Sequence, residues 1–239
     1  MSEAGGSAGH ADVAREPIVV AIDGPAASGK SSTAKWVARE LGFLHADSGA
    51  LYRAATAARM RAGGPADGWT EDSVLQAAMI VTVAADDRSF VPLLHGANVD
   101  DELRGQAVTR HVSTVARMPR VREWVNARVR EVARTRSIVV DGRDIGTAVF
   151  PDADVKIFLV ADPWERARRR LLERLARAPR DEEIAAETDA LVRRDALDRL
   201  QTVQAPDAVL IDTTYLTQRE QVDRIVALVR AARDSARSS

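Results

Sequence analysis

Gly24-Pro25-Ala26-Ala27-Ser28-Gly29-Lys30-Ser31 reads G-x-x-x-x-G-K-S, a spacing that can cradle phosphate. Its glycines let the backbone turn N–H groups inward. A helix starting here aims its unpaired N–H groups and positive dipole end at the same point. Lys30 adds a point charge for β- and γ-phosphates, and the Ser31 hydroxyl can ligate Mg²⁺. Such a match has meaning only between a strand and a helix. Residues 18–22 (IVVAI) form a short apolar run, as a buried parallel strand should. After the loop, Ala34, Val37, Ala38 and Leu41 share one helical face, and Gly42 ends it. The chain is therefore expected to bind a nucleoside triphosphate.

A metal that accompanies such a ligand needs carboxylates at strand ends. Asp47 and Asp141 both follow short apolar runs and are candidates beside Ser31, although either could instead cap a helix. Positive charge around a moving phosphoryl group is the other requirement. Arg53, Arg143, Arg168, Arg169, Arg170 and Arg194 lie at strand ends or in the arginine-dense segment before the last strand. Arg166, Arg174 and Arg177 are read as a solvated helix face. Only three of the 34 basic residues are lysines, so arginine richness alone carries no weight.

Several elements must position these groups. Residues 43–46, 137–140, 155–160 and 209–211 read as further buried strands, alternating with helical segments. Asp162-Pro163-Trp164-Glu165 supplies an N-cap, a proline at N1 and a glutamate at N3, and Thr217-x-x-Glu220 is a capping box. The alternation implies a five-stranded parallel sheet with helices on both faces. The pattern breaks at 62–68, which is rich in glycine. Residues 80–83 and 90–94 look like short antiparallel strands, with a turn at Asp86-Asp87-Arg88-Ser89 and another strand starting at Val99. The expected organisation is a disordered tail at 1–16, a core at 17–62 and 102–239, an insertion at 63–101 and a lid at 170–192 within the core.

With 239 residues the chain can bury a sizeable core, and its net charge of -1 gives no global field for nucleic acid. Cysteine is absent, which excludes disulfides, thiolate nucleophiles and cysteine zinc sites. No apolar run suits a membrane span and no signal-peptide pattern is visible, so a cytoplasmic monomer is expected. The guanine-specific N-K-x-D motif is missing, as are the H-R-D and D-F-G motifs of protein kinases. A small-molecule kinase remains.

Longer stretches carry a resemblance. They are Ile22-Asp23-Gly24-Pro25; Asp47-Ser48-Gly49-Ala50-Leu51-Tyr52-Arg53; Pro119-Arg120-Val121-Arg122-Glu123; the D-G-R-D-x-G-T-x-V-F-P-D-A segment from Asp141 to Ala153; Val155-Lys156-Ile157-Phe158-Leu159; and Arg193-Arg194-Asp195-Ala196-Leu197-Asp198. Over 17–228 the chain resembles the bacterial cytidylate kinases, members of the nucleoside monophosphate kinase fold. The resemblance implies a P-loop α/β fold whose loop, Gly24 to Ser31 with Ser32, binds ATP with Mg²⁺. It implies that Tyr52, Arg53 and Arg143 hold the acceptor phosphate, with Ser48 also among the substrate-binding residues. Ser113, Arg122 and Asp144 would read the cytosine edge, and Arg194 and Asp198 the sugar. Arg169 and Arg170 would be lid arginines on the ATP side, with Lys30, Arg143 and Arg169 assisting transfer. A carboxylate suits the cytosine N4 amino group and an arginine suits N3 and O2, so CMP or dCMP is expected over UMP.

The sequence departs from the family pattern at 199–206, which is shorter and offers no clear counterpart to the arginine that would help clamp the monophosphate. Arg199 from a shifted position, or Gln201 without charge, are the candidates to replace it. Ala26 stands where some members carry serine, and Asn98 where aspartate is common. Rival readings are a UMP- or AMP-directed kinase, or a non-catalytic nucleotide-binding protein on the same fold.

Overall fold

The computed structural model describes residues 16–85 and 88–236. The tail expected at 1–16 lies almost wholly outside the described residues, as do Asp86 and Asp87 of the expected turn. In chain order the elements are β1 (Val19–Asp23), α1 (Lys30–Leu41), β2 (Leu44–Asp47), α2 (Ser48–Arg61), α3 (Glu71–Ala77), β3 (Val81–Ala85), β4 (Ser89–Leu94), α4 (Asp100–Arg104), α5 (Gln106–Ala116) and α6 (Pro119–Ala133). They continue as β5 (Ile138–Asp141), a π-helical turn (Ile145–Val149), β6 (Val155–Val160), α7 (Pro163–Arg174), α8 (Asp181–Asp198), β7 (Val209–Asp212) and α9 (Gln218–Ala236).

The sheet has seven strands in the order β3-β4-β2-β5-β1-β6-β7, which corrects the expected five. The five expected strands are all there, mutually parallel, with β1 paired to both β5 and β6. The extra two lie in the segment expected to be an insertion. β3 and β4 form the expected antiparallel pair, but β4 also pairs in parallel with β2, so the hairpin extends the main sheet. The strand expected at Val99 is absent, because Val99 is the N-cap position of α4.

Consecutive core strand residues face opposite sides, and both sides are apolar. Ala21, Ile138 and Val140 pack with Leu51, Val112, Val125 and Val129 of α2, α5 and α6. Val20, Ile22, Val139 and Ile157 pack with Val37 of α1 and Val222, Ile225 and Val229 of α9. With no polar face to spare, chemistry is displaced to the carboxyl ends of the strands, where the βα loops open.

Local chemistry fixes those loops. Gly29, at φ 87°, precedes α1 and Gly42, at φ 68°, ends it. Asp47 caps α2 by accepting from Ala50 N at 3.0 Å. Asp162 accepts from the backbone N–H groups of Trp164 and Glu165, starting α7 as expected. Thr217 and Glu220 form the reciprocal capping box ahead of α9.

Candidate active site

The phosphate loop runs from the end of β1 into α1. A Cβ on Gly24, at φ 147°, would lie 2.1 Å from the carbonyl oxygen of Leu159, so only glycine fits. Lys30 folds back over the loop and donates to Pro25 O at 2.6 Å, with Ser28 Oγ 3.5 Å away. Burial pushes the Lys30 ammonium down to about 7, and the nearby Arg143 charge adds to this against the pull of Asp141 and Asp23. An anion placed here would pull it back up. Ser32 uses its hydroxyl on Gly29 O at 3.0 Å.

Parallel pairing sets Asp47 and Asp141 side by side as register partners on β2 and β5. Ser31 Oγ donates to Asp141 Oδ2 at 2.5 Å, and His45 Nε2 lies 2.8 Å from Asp141 Oδ1. Burial favours the neutral form of Asp141, but its His45 and Ser31 contacts outweigh that and hold it below the usual carboxylate range. Asp47 goes the other way, raised by burial and by the Asp141 charge. Among the described residues no group of three or more His, Cys, Asp or Glu converges as a metal cage. Mg²⁺ does not require one: it is bound through one or two carboxylates plus substrate phosphates, and these three oxygen donors fit that role.

Two clefts meet above this pair, and Lys30, Ser31, Asp47, Arg53, Arg104 and Arg170 line both. The narrower one is walled by Ser48, Tyr52, Ser113, Arg122, Arg143, Asp144, Arg194 and Asp198, so every residue expected to hold the acceptor faces one space. On its far wall Arg122 Nη2 is hydrogen-bonded to Asp144 Oδ2, and Arg122 Nη1 donates to Ala116 O at 3.1 Å. Burial raises the Asp144 carboxyl against the pull of Arg122 and Arg143. Burial likewise pushes the Tyr52 hydroxyl up to about 12. Arg53 donates from Nη1 to Leu103 O and to Thr109 Oγ1. Ser48 spends its hydroxyl on Asp141 O at 2.8 Å. Arg194 Nε is buried without a hydrogen-bond partner and 3.7 Å from Asp198. Burial and the charges of Arg143 and Arg53 push Arg194 down to about 10.

The wider cleft takes in Ser32, Asn98 and Arg169. Arg169 is tied to the chain after β7, donating from Nη2 to Thr213 O at 2.6 Å and Thr214 O at 2.8 Å. Arg170 pairs with Glu187 of α8 at 3.0 Å. In the short segment after α8, Gln201 lines the narrow cleft while Arg199 is exposed.

Two differences from expectation stand out. Arg166 is not on a solvated face: it is 4% exposed and bonded to Ala26 O. Arg174 and Arg177 do lie at the surface, paired with Glu187 and Glu183. Arg104 is not among the residues expected at the site, yet it lies 3.5 Å from Asp47 and spans both clefts. Its one sequence signal is an Asp100–Arg104 pair one helical turn apart.

A protein-family model described as cytidylate kinase matches residues 20–231. The chain is 44% identical over 166 residues to a cytidylate kinase of Chlorobaculum tepidum, covering 70% of each chain. It is 46% identical over 162 residues to a cytidylate kinase of Geobacillus kaustophilus, covering 67% of this chain and 71% of that one. Among solved structures, a shikimate kinase from Bacteroides thetaiotaomicron aligns with a TM-score of 0.46 at 15% identity, over 89% of this chain and 98% of that one.

Proposed function

The chain belongs to the cytidylate kinase family, and on that premise we propose that it transfers the γ-phosphoryl of ATP to the 5′-phosphate of CMP or dCMP. The products are ADP and CDP or dCDP. The observation that carries the base preference is the Arg122–Asp144 pair facing the phosphate loop across the narrow cleft. A carboxylate beside a guanidinium matches the N4 donor and the N3 and O2 acceptors of cytosine. Uracil would turn its O4 acceptor toward Asp144 and leave a buried group unpaired.

The loop and Lys30 would bind the donor phosphates, with Ser32 and Arg170 beside them. Ser31, Asp47 and Asp141 would hold Mg²⁺, which supplies charge neutralisation between the phosphates when bound. Tyr52, Arg53 and Arg143 would orient the acceptor phosphate, with Ser48 at its edge, while Ser113 faces the base and Arg194 and Asp198 the sugar. The acceptor is already an ionised phosphate oxygen, so in-line placement and positive charge suffice without a strong base. Lys30, Arg143 and Arg169 would stabilise charge on the transferred group. We assign residues 63–101 to acceptor binding and 170–192 to a lid over the donor. Every group named comes from one chain, so a monomer can carry out the reaction. Among the described residues no helix is long and apolar enough to cross a membrane.

The decisive experiment measures ADP release with CMP, dCMP, UMP and AMP, for the native chain and for Lys30→Ala. Turnover confined to the cytidine nucleotides and abolished by the substitution is expected. Equal rates with UMP, or an active Lys30→Ala variant, would overturn the assignment.

A further inference from the structure

Arg166 and Asp195 lie outside the lining of both clefts, yet together they grip the phosphate loop from behind. Asp195 of α8 accepts from Ala26 N at 3.1 Å through Oδ1. Its Oδ2 accepts from Arg166 Nη1 of α7 at 2.7 Å, and the same nitrogen donates to Ala26 O at 2.8 Å. One ion pair thus takes both backbone polar groups of Ala26. An apolar cluster formed by Ala26, Ala167, Leu171, Ile184 and Leu191 packs beside it. Removing apolar side chains from water here also strengthens the charged contacts.

The next residue explains why the loop needs such a grip. Ala27 has φ 57°, in the left-handed region that is strained for a non-glycine residue. A residue in that conformation persists only where its surroundings over-determine it. Ala26 is one of the two neighbours through which they do so; the other, Ser28, is buried and its carbonyl accepts from Thr213 Oγ1 at 3.5 Å.

We propose that Arg166 and Asp195 are positioning residues of the phosphate loop, holding Ala26 so that the loop N–H groups stay converged for the donor phosphates. The proposal rests on the reading of the loop as the ATP site. Fixing the loop backbone costs conformational entropy, and without the ion pair that cost falls on donor binding. Acceptor binding in the narrow cleft uses side chains from other elements and escapes it.

The test compares Arg166→Met, Arg166→Lys, Asp195→Asn and the double variant Arg166→Met/Asp195→Leu. Calorimetry gives Kd for ADP without acceptor, and steady-state kinetics gives KM for ATP and for CMP. Arg166→Met and Asp195→Asn should weaken ADP binding and raise KM for ATP about tenfold, with KM for CMP changed less than about twofold. Arg166→Lys can still donate to both oxygens and should stay within about threefold of the native chain. Loss of Asp195 leaves the buried Arg166 charge uncompensated, and loss of Arg166 leaves the half-buried Asp195 charge so; either lowers Tm, whereas the apolar double variant should recover Tm but not ADP affinity. Native ADP affinity in the double variant or in Arg166→Met would overturn the proposal, as would equal weakening of ATP and CMP or equal behaviour of Arg166→Met and Arg166→Lys. If the native chain phosphorylates no monophosphate, the kinase reading fails on its own, and the ADP affinities still decide the role of the pair.

Discussion

Arg143 meets Asp198 through two nitrogens, Nε and Nη2, each 3.2 Å from Oδ2, while its Nη1 donates to Gly24 O at 3.0 Å. One planar group therefore ties the phosphate loop to α8. A lysine keeps the charge but cannot span both partners. Arg143→Lys should lower kcat/KM by about 100-fold, as loss of a preorganised charged donor does elsewhere. Steady-state kinetics with CMP checks this, and a variant at native kcat/KM would count against it.

On the proposed reading the Arg122–Asp144 pair sets base choice. In Asp144→Asn the side chain gains a donor, which suits the uracil O4 acceptor and ill suits the cytosine amino group. The CMP-to-UMP ratio of kcat/KM should fall by about 10- to 100-fold, the range for one mispaired buried group. Full cytosine preference in the variant would sink the assignment of Asp144.

Asp23 gives a pH signature in stability. It accepts from Ile145 N and Gly146 N at 2.8 Å each, yet burial dominates and raises its carboxyl from 3.8 to about 6. Below 3.8 the group is protonated in both folded and unfolded chains and has no effect on stability. Between 3.8 and about 6 the unfolded chain releases a proton that the folded chain still holds, so stability falls as pH rises and levels off once the folded carboxyl ionises above about 6. The loss approaches about 3 kcal/mol, since each tenfold change in proton affinity is worth about 1.36 kcal/mol. Asp23→Asn removes the titration, and because its amide nitrogen cannot accept from a backbone N–H it should be about 1 kcal/mol less stable than the native chain below pH 4, where the native carboxyl is neutral. Urea unfolding should show the native chain losing stability relative to this variant between pH 4 and 6. A difference independent of pH refutes the raised carboxyl.

Two glycines with positive φ should respond very differently to alanine. At Gly24 a Cβ meets backbone at 2.1 Å, whereas at Gly63, with φ 81°, nothing lies within 4 Å. Gly63→Ala should cost about 1–2 kcal/mol from conformation alone. Gly24→Ala must also displace β1 from β6, and should exceed about 4 kcal/mol. Thermal unfolding measures both, and equal costs would show that the Leu159 contact is not limiting.

The sequence made the core legible because apolar strand runs and helix caps are local signals. Asp162, Thr217 and Gly42 act where their residue types place them. The residues proposed to hold the acceptor are legible as long, specific motifs, and the fold brings them into one cleft. What escaped depended on distant partners. The pairing of β4 with β2 joins segments more than 40 residues apart, His45 to Ser89, and no local pattern reports it. Arg166 looked like one of a run of surface arginines because the burial of its face depends on α8, which supplies Asp195 29 residues away. Val99 has a β-branched side chain suited to a strand, but the Asp100-Asp101-Glu102 that follows favours a helix N-terminus.

Because β4 is hydrogen-bonded into the main sheet beside β2, the inserted segment is not hung from the core by two linkers. A hinged swing of the whole segment would tear the β2–β4 ladder at His45 and Ala46, immediately before Asp47. On the proposed reading, closure over the acceptor would be a shear of α3 and α4 across the strands rather than a swing of the whole segment, and would change the 3.5 Å separation of Arg104 from Asp47.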